Sequence, residues 1–323
     1  MLDVLQACPD VTALCLVTRA DDVLCSYYAS EHDAPNVKQQ AQARGVPVLQ
    51  SEAINGEEFR SRVAAFAPDY LMVANYQKKI GPQLVATARI AAVNFHPSPL
   101  PRYAGLAPFF WMAKHGETRG GVTCCLVADT IDAGDIVDQV PLALSGRETA
   151  GEIRDLHFAA SFAQLACLLP RFAREPLRTV AQDLRGRTYF GRPAVRDTTI
   201  DWSAGVESIL RTVRASLPHP GALVRLPNGL CVRVTSAEPY PALPDGHRPG
   251  TLEKIDGDWV AATVDGWIQI KAIACFGAAL PGDPAELAAG ELVLDDASAG
   301  MPAAAPPDDI LGNLMRLPLA RVR

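Results

Sequence analysis

Apolar runs of strand length alternate with helical patterns through the first half of the chain. Residues 11–17 (VTALCLV) form an unbroken apolar and β-branched run, as a strand covered on both faces requires. Residues 34–44 read as a helix, followed by Gly45 and a short strand over 46–49. An amphipathic stretch over 57–66 leads to a second buried strand at 70–74 (YLMVA). Residues 83–89 look helical, 90–95 run as a strand into His96-Pro97, and 122–127 (VTCCLV) form a further strand. A helix is predicted again from Thr149 to about Phe172. Strands that alternate with helices predict an α/β fold: a Rossmann-like open, mostly parallel sheet with helices on both faces.

The periodicity then weakens. Seven arginines, few acids and several Pro and Gly lie between Arg171 and Arg196, and residues 176–198 read as an interdomain linker. Beyond it, 203–215 is one amphipathic helix, and short strand-like runs follow at 222–226, 231–235, 259–264 and 267–272. Pro227-Asn228-Gly229 and Asp265-Gly266 supply turns between them. The pattern predicts a smaller C-terminal β-barrel-like (OB-like) domain over 199–323, behind an α/β domain over 1–175. The Ala/Pro-rich stretch 299–307 reads as a loop.

Composition changes this picture little. The 323 residues are 49 % hydrophobic and 20 % charged, which suits two globular domains. Lys and Arg number 30 and Asp and Glu 36, and the net charge of −6 argues against a protein held on DNA by a broad basic surface. No apolar run is long enough to predict a membrane-spanning helix, and the N-terminal residues carry no signal-peptide pattern. Eight cysteines form no Cys-x-x-Cys pair. Surroundings such as Leu14-Cys15-Leu16 and Ala166-Cys167-Leu168 predict reduced core thiols of a cytoplasmic protein rather than metal ligands.

There is no G-x-G-x-x-G, P-loop, G-x-S-x-G or H-E-x-x-H signature. The distinctive stretch is 93–105 (VNFHPSPLPRYAG). Asn94 and His96 stand two apart at the carboxyl end of a strand, so they face one side, at the edge where open parallel sheets bind ligands. Pro97, Pro99 and Pro101 stiffen the loop behind them. A second loop, after the strand at 122–127, holds Asp129, Asp132 and Asp135 with Gly134. A carboxylate there can orient an imidazole and stabilise its charged form. Singly these features are ordinary, since an Asp-Gly loop is more often a turn than a site. Their joint order and spacing set them apart.

That joint pattern resembles the 10-formyltetrahydrofolate-dependent formyltransferases, which include methionyl-tRNA, glycinamide ribonucleotide and nucleotide-amino-sugar formyltransferases. The marks of the family are Asn-x-His, a Ser-Leu-Leu-Pro-like loop, and an Asp-x-Gly loop 36 residues after the His, as Asp132 follows His96 here. Asn94-Phe95-His96-Pro97-Ser98-Pro99-Leu100-Pro101 and Ile131-Asp132-Ala133-Gly134 carry the likeness, which covers residues 11–175. Tyr189-Phe190-Gly191-Arg192 and Ile200-Asp201-Trp202-Ser203 resemble the two-domain members, whose second domain is a small open β-barrel. The resemblance implies Asn94, His96 and Asp132 as catalytic residues, with 10-formyltetrahydrofolate as formyl donor and no metal. It implies a folate site near Tyr76, Lys78, Lys79 and Ile80, with the loop 127–131, including Asp129 and Ile131, as second wall. Two departures stand out. Residues 1–9 read as a helix end and 11–17 as the family's second strand, so its first strand, central in a doubly wound sheet, is expected to be missing. Backbone groups in the core are then left unpaired unless the true start lies upstream, the chain is truncated or another strand fills the gap. Ala104 stands where the family loop usually carries Arg.

The acceptor expected is the primary amine of a small molecule: an amino-sugar nucleotide, or an amine of secondary metabolism or a siderophore. Residues 189–192 resemble the amino-sugar members. Methionyl-tRNA is the alternative acceptor. Enzymes of that kind carry a basic insertion after the second strand, whereas residues 20–35 here are acidic and hold no Lys or Arg. A non-catalytic folate-binding relic or partner module is the third reading, and the intact Asn94, His96 and Asp132 argue against it. No DNA or membrane partner is expected.

Overall fold

The computed structural model describes residues 1–19, 36–76, 78–225, 231–241, 247–276 and 291–292. It forms two compact units. The first comprises Met1–Met112, Glu117–Ser145 and Glu152–Gly191; the second holds Ala113–Gly116, Gly146–Gly151 and the chain from Arg192 onward.

The chain begins with α1 (Leu2–Ala7), β1 (Leu16–Thr18), α2 (Val37–Ala43), β2 (Val48–Gln50), α3 (Glu57–Ala64), β3 (Tyr70–Ala74), α4 (Pro82–Val85) and β4 (Ala91–His96). Then come β5 (Ala104–Gly105), α5 (Pro108–His115), β6 (Arg119–Leu126), β7 (Ile136–Ala143), α6 (Ala150–Arg174) and β8 (Tyr189–Phe190). β1 and β2 pair in parallel, with Leu16 opposite Val48. A second sheet has the order β3-β4-β6-β7. Its β3–β4 pair is parallel, but β6 and β7 run antiparallel to their neighbours. The sheet is therefore mixed rather than mostly parallel. The loop between β6 and β7 is too short for a parallel crossover, so β7 must return as a hairpin.

Among the described residues no strand joins β1 to β3, and the two sheets stay separate. The apolar run of β3, read as buried, is only partly covered in consequence. The run 11–17 extends as a strand only over its end, in β1.

α6 covers one face of the four-stranded sheet. Its Leu165, Leu168, Leu169 and Phe172 pack with Val93 and Phe95 of β4 and Cys124 of β6. Burying each such apolar side chain contributes about 1.5–3 kcal/mol. Cys167, expected in the core, is exposed, because the helical period that turns Leu165 and Leu168 inward turns it out. A second cluster joins Leu49, Ile54, Phe59, Val63 and Leu84, with Leu71, Tyr76 and Ile80 packed against it.

The second unit holds α7 (Val195–Thr198), α8 (Val206–Ala215), β9 (Ala222–Arg225), β10 (Cys231–Tyr240), β11 (Leu252–Ile255), β12 (Asp258–Ala262), β13 (Trp267–Phe276) and β14 (Glu291–Leu292). The strands are antiparallel, in the order β11-β12-β13-β10-β9, with β14 beside β13. This order is open at both ends among the described residues, so the expected barrel is an open sheet there. Ile209, Leu210 and Val213 of α8 pack on Val224, Val232, Val234 and Ile268. The stretches 20–35 and 299–307 lie outside the described residues. No described helix is long and apolar enough to cross a membrane.

Candidate active site

β4 delivers Asn94 and His96, and the loop behind it is tied down by Thr123 of β6. The Thr123 hydroxyl donates to Ser98 O at 2.7 Å and accepts from Leu100 N at 3.1 Å. Gln139 of β7 donates to the same hydroxyl and to Leu100 O, both at 2.8 Å. The loop thus has its polar groups satisfied and its path determined.

Tyr103 ends this loop at φ 57°, which turns its carbonyl to His96 Nε2 at 3.0 Å. A carbonyl only accepts, so Nε2 carries the proton and the neutral ring keeps a lone pair at Nδ1. Nδ1 faces Asp132 Oδ1 at 3.6 Å, and both side chains are 8 % exposed. The carboxylate is held from two other directions. Oδ1 accepts from Asn94 Nδ2 at 3.0 Å and Oδ2 accepts from the Gly105 N–H at 2.8 Å. The tertiary structure therefore gathers Asn94, His96 and Asp132, the three residues that the family resemblance implies.

Two glycines make this approach possible. A Cβ on Gly134 would lie 2.0 Å from Leu126 O, and one on Gly105 would lie 2.3 Å from Phe190 O. Among the described residues six non-glycine residues have positive φ. Asn75, Ala107 and Asp132 line the cavity described next, and Tyr103 supplies the carbonyl on His96. Backbone strain of this kind gathers where a site needs a particular shape.

A cavity of about 210 Å³ adjoins the cluster. Tyr76, Lys78, Lys79, Ile80 and Ile131 line it together with Asn94, His96 and Asp132. Asp129, expected on the second wall, is exposed and does not line it, because the loop turns outward before Ile131. The Lys78 ammonium is tied to the Glu52 carboxylate and donates to Glu52 O at 2.8 Å. Asn55 accepts from Gly81 N at 2.7 Å and donates to Lys79 O at 3.0 Å, which fixes the 78–81 loop. The Tyr76 hydroxyl is buried without a hydrogen-bond partner, and burial pushes its pKa up. Cys125 also lines the cavity, but burial raises its thiol pKa to about 12, which leaves it inert as a nucleophile.

Three contributors escaped the sequence reading. Tyr189 in β8 lines the cavity with a half-exposed ring, over which the Arg187 guanidinium stands at 5.2 Å. Gln182 Nε2 donates to Asp132 O at 3.0 Å and Gly134 O at 2.6 Å. Arg187 donates to Ile131 O at 2.6 Å. All three sit in the stretch read as linker; Tyr189 belongs to the 189–192 motif but was given no place in the site, and no local pattern marks Gln182 or Arg187.

Comparison with known proteins places the chain among relatives. Residues 4–161 match the formyl transferase family, and residues 194–278 match the formyl transferase C-terminal domain. The methionyl-tRNA formyltransferase of Aromatoleum aromaticum is 32 % identical over 225 residues, covering 69 % of this chain and 70 % of that protein. That of Geobacillus thermodenitrificans is 30 % identical over 237 residues, covering 73 % and 74 %. Among solved structures, HypX from Aquifex aeolicus in complex with tetrahydrofolic acid superposes with a TM-score of 0.55 at 20 % identity. That match covers 73 % of this chain but only 41 % of HypX. The N-formyltransferase from Helicobacter canadensis, in complex with folinic acid and dTDP-3-aminofucose, gives 0.52 at 16 % identity, covering 72 % of this chain and 81 % of that one. The chain belongs to the formyl transferase family, whose members are enzymes that transfer formyl groups.

Proposed function

We propose that this chain moves the formyl group of 10-formyltetrahydrofolate to the primary amine of a small molecule. The observation that carries the reading is the buried junction of Asn94, His96 and Asp132 beside the cavity. The donor fits what lines that cavity: a buried Tyr76 hydroxyl without a partner, and the tied loop of Lys78, Lys79 and Ile80, with Ile131 beside them. The tetrahydrofolic acid named with HypX and the folinic acid named with the Helicobacter canadensis enzyme support the choice of donor. When bound, 10-formyltetrahydrofolate supplies the formyl group from N10.

The chain's own residues supply the rest. His96 Nδ1 holds the lone pair that takes a proton from the attacking amine, and the same nitrogen returns one to the departing nitrogen. Asp132 lies 3.6 Å from Nδ1 and stabilises the ring while it is charged. Asn94 gives one amide hydrogen to Asp132 and keeps the other. Donated to the oxygen on which charge develops, that second hydrogen is worth about 3–4 kcal/mol. In this reading residues 1–175 form the catalytic domain, joined through 176–198 to the β-rich domain over 199–323.

Two features favour a small acceptor. The half-exposed Tyr189 ring at the cavity offers a flat apolar face to a compact amine. The sequence of 20–35 has no Lys or Arg with which to grip a phosphate backbone. Methionyl-tRNA is the second reading, favoured by the relatives at 30–32 % identity. A thermal-shift titration with 5-formyltetrahydrofolate comes first. Saturation at a hundredfold excess over Kd adds about 2.7 kcal/mol, roughly 4–7 °C in Tm. Formyl transfer is then assayed on amino-sugar nucleotides, small amines and methionyl-tRNA. Absence of a shift in folded protein rejects the donor site, and transfer to methionyl-tRNA alone rejects the small acceptor.

A further inference from the structure

We propose that Gln182 is a positioning residue that holds Asp132 in its working geometry, as the centre of a strap formed by residues 180–190. This rests on the formyl-transfer reading of the Asp132 site.

Asp132 sits at φ 55°, a left-handed backbone that a non-glycine residue keeps only when its surroundings over-determine it. The loop that carries it offers little of that constraint by itself; Ala133 N donates to Thr130 O at 3.2 Å. The constraint arrives from about 50 residues further along the chain. Gln182 Nε2 donates to the carbonyls on either side of Ala133, those of Asp132 and Gly134. Arg187 adds a donor to Ile131 O. The Gln182 Oε1 is buried and makes no hydrogen bond, so the polar role of the side chain is its two donors.

The strap is itself anchored at both ends. Val180 and Ile136 exchange backbone hydrogen bonds, each at 2.8 Å. At the far end Thr188 N donates to Pro101 O at 3.2 Å, and Thr188 Oγ1 accepts from Tyr103 N at 2.8 Å. Ala104 N and Leu106 N then donate to Thr188 O and Phe190 O, at 3.0 and 2.8 Å. The second anchor therefore holds the segment whose Tyr103 carbonyl orients His96 and whose Gly105 N–H binds Asp132. Gln182 lies between the anchors, on the half of the site that carries the carboxylate. It does not line the cavity, so it acts through Asp132 rather than on substrate. Losing its donors leaves two carbonyls unsatisfied and lets Asp132 relax from its strained φ, which moves the carboxylate away from Asn94 and His96.

The test compares Gln182→Met and Gln182→Glu with the unaltered chain. Both keep the length of the side chain; the first removes the donors and the second turns acceptors toward two carbonyls. Misplacement of a catalytic group by about 1 Å can cost on the order of 100-fold in rate. The expected result at pH 8 is a loss of about 10- to 100-fold in kcat for both, with KM for the folate within about threefold. A carboxyl facing carbonyls has its pKa raised and, once protonated, regains one donor. Gln182→Glu should therefore recover toward the parent rate between pH 8 and about pH 5.5, and Gln182→Met should not. Hydrogen exchange of the amides over 128–135 supplies a readout that needs no substrate. It should quicken by tenfold or more in Gln182→Met, while exchange in β10 and β13 stays at the parent rate.

Unchanged exchange over 128–135 overturns the proposal, as does unchanged kcat in both variants or a rate loss that follows Tm alone and ignores pH. If the parent chain forms no product with any amine, the formyl-transfer reading fails instead. The exchange data then decide separately whether Gln182 holds the loop.

Discussion

Asn94 donates its side-chain amide to Asp132 Oδ1 at 3.0 Å, joining the end of β4 to a loop 38 residues further along the chain. The other carboxylate oxygen takes the Gly105 N–H, and His96 Nδ1 stands 3.6 Å from the first. Asp132 is thus the meeting point of three separate backbone segments. Asp132→Asn must turn its NH₂ toward one of the two donors. Formyl transfer is expected to fall by about 10²–10³, while the thermal shift with 5-formyltetrahydrofolate persists. A fall of less than tenfold would remove Asp132 from the catalytic set.

His96 has two separable duties. Nε2 satisfies the Tyr103 carbonyl, and Nδ1 offers the lone pair. His96→Gln keeps a donor near the carbonyl but has no base, so transfer should fall by about 10²–10⁴ with Tm nearly unchanged. His96→Ala leaves a buried carbonyl unpaired as well, which costs about 1–3 kcal/mol. Melting curves should therefore rank His96→Ala below His96→Gln while both lose activity. Equal melting temperatures would contradict the hydrogen bond to Tyr103.

A second buried histidine affects stability rather than catalysis. His157 on α6 is fully buried; its Nδ1 donates to Ile153 O at 2.7 Å and its Nε2 accepts from Gly121 N at 3.2 Å. Both nitrogens are committed in the neutral ring, and burial pushes its pKa down to about 4. The unfolded chain titrates near 6.5, so between those values the unfolded state binds a proton that the native state refuses. Stability is present in full above about pH 6.5 and is lost as pH falls toward 4, by about 3 kcal/mol at the end of that window. Urea denaturation at pH 7.5, 6 and 5 should show this slope in the parent chain. In His157→Gln, destabilised at neutral pH, the gap to the parent should narrow as pH falls; a constant gap would refute the assignment.

Gly105 combines φ 95° with contact to β8, where a Cβ would meet Phe190 O at 2.3 Å and the Tyr189 ring at 2.8 Å. Gly105→Ala must push β8 away and withdraw the N–H from Asp132. The expected cost is about 2–4 kcal/mol in stability, with a loss of transfer larger than the unfolded fraction explains. Calorimetry paired with an activity assay on the folded fraction checks both parts. Parent-like values would show that β5 and β8 do not close against one another.

Much of the fold is legible in the local pattern, and what is missing has identifiable causes. β3 at 70–74 and the helix α6 follow directly from apolar spacing. β7 was not foreseen, because it is an edge strand whose residues are mostly half-exposed and which carries Pro141. A strand with one free edge needs neither a continuous apolar run nor every backbone donor. α5 was not foreseen either; its Pro108-Phe109-Phe110 opening suits a helix start but shows no clean polar face. The arginines between 171 and 196 look like a solvated linker, and Arg185 is indeed exposed, yet Arg187 reaches Ile131 O.

The sequence by itself determined the chemistry on offer: an amide and an imidazole two apart at a strand end, and an Asp-x-Gly loop 36 residues later. These are local because strand period and glycine turns act over a few residues. Only the tertiary structure decided which nitrogen of His96 is free, since that depends on the Tyr103 carbonyl. It also decided that Gln182 and Gly105 hold Asp132 and that Asp129 does not face the cavity. Hydrogen bonds between segments distant in the chain depend on how whole elements pack, and residue spacing carries no record of that.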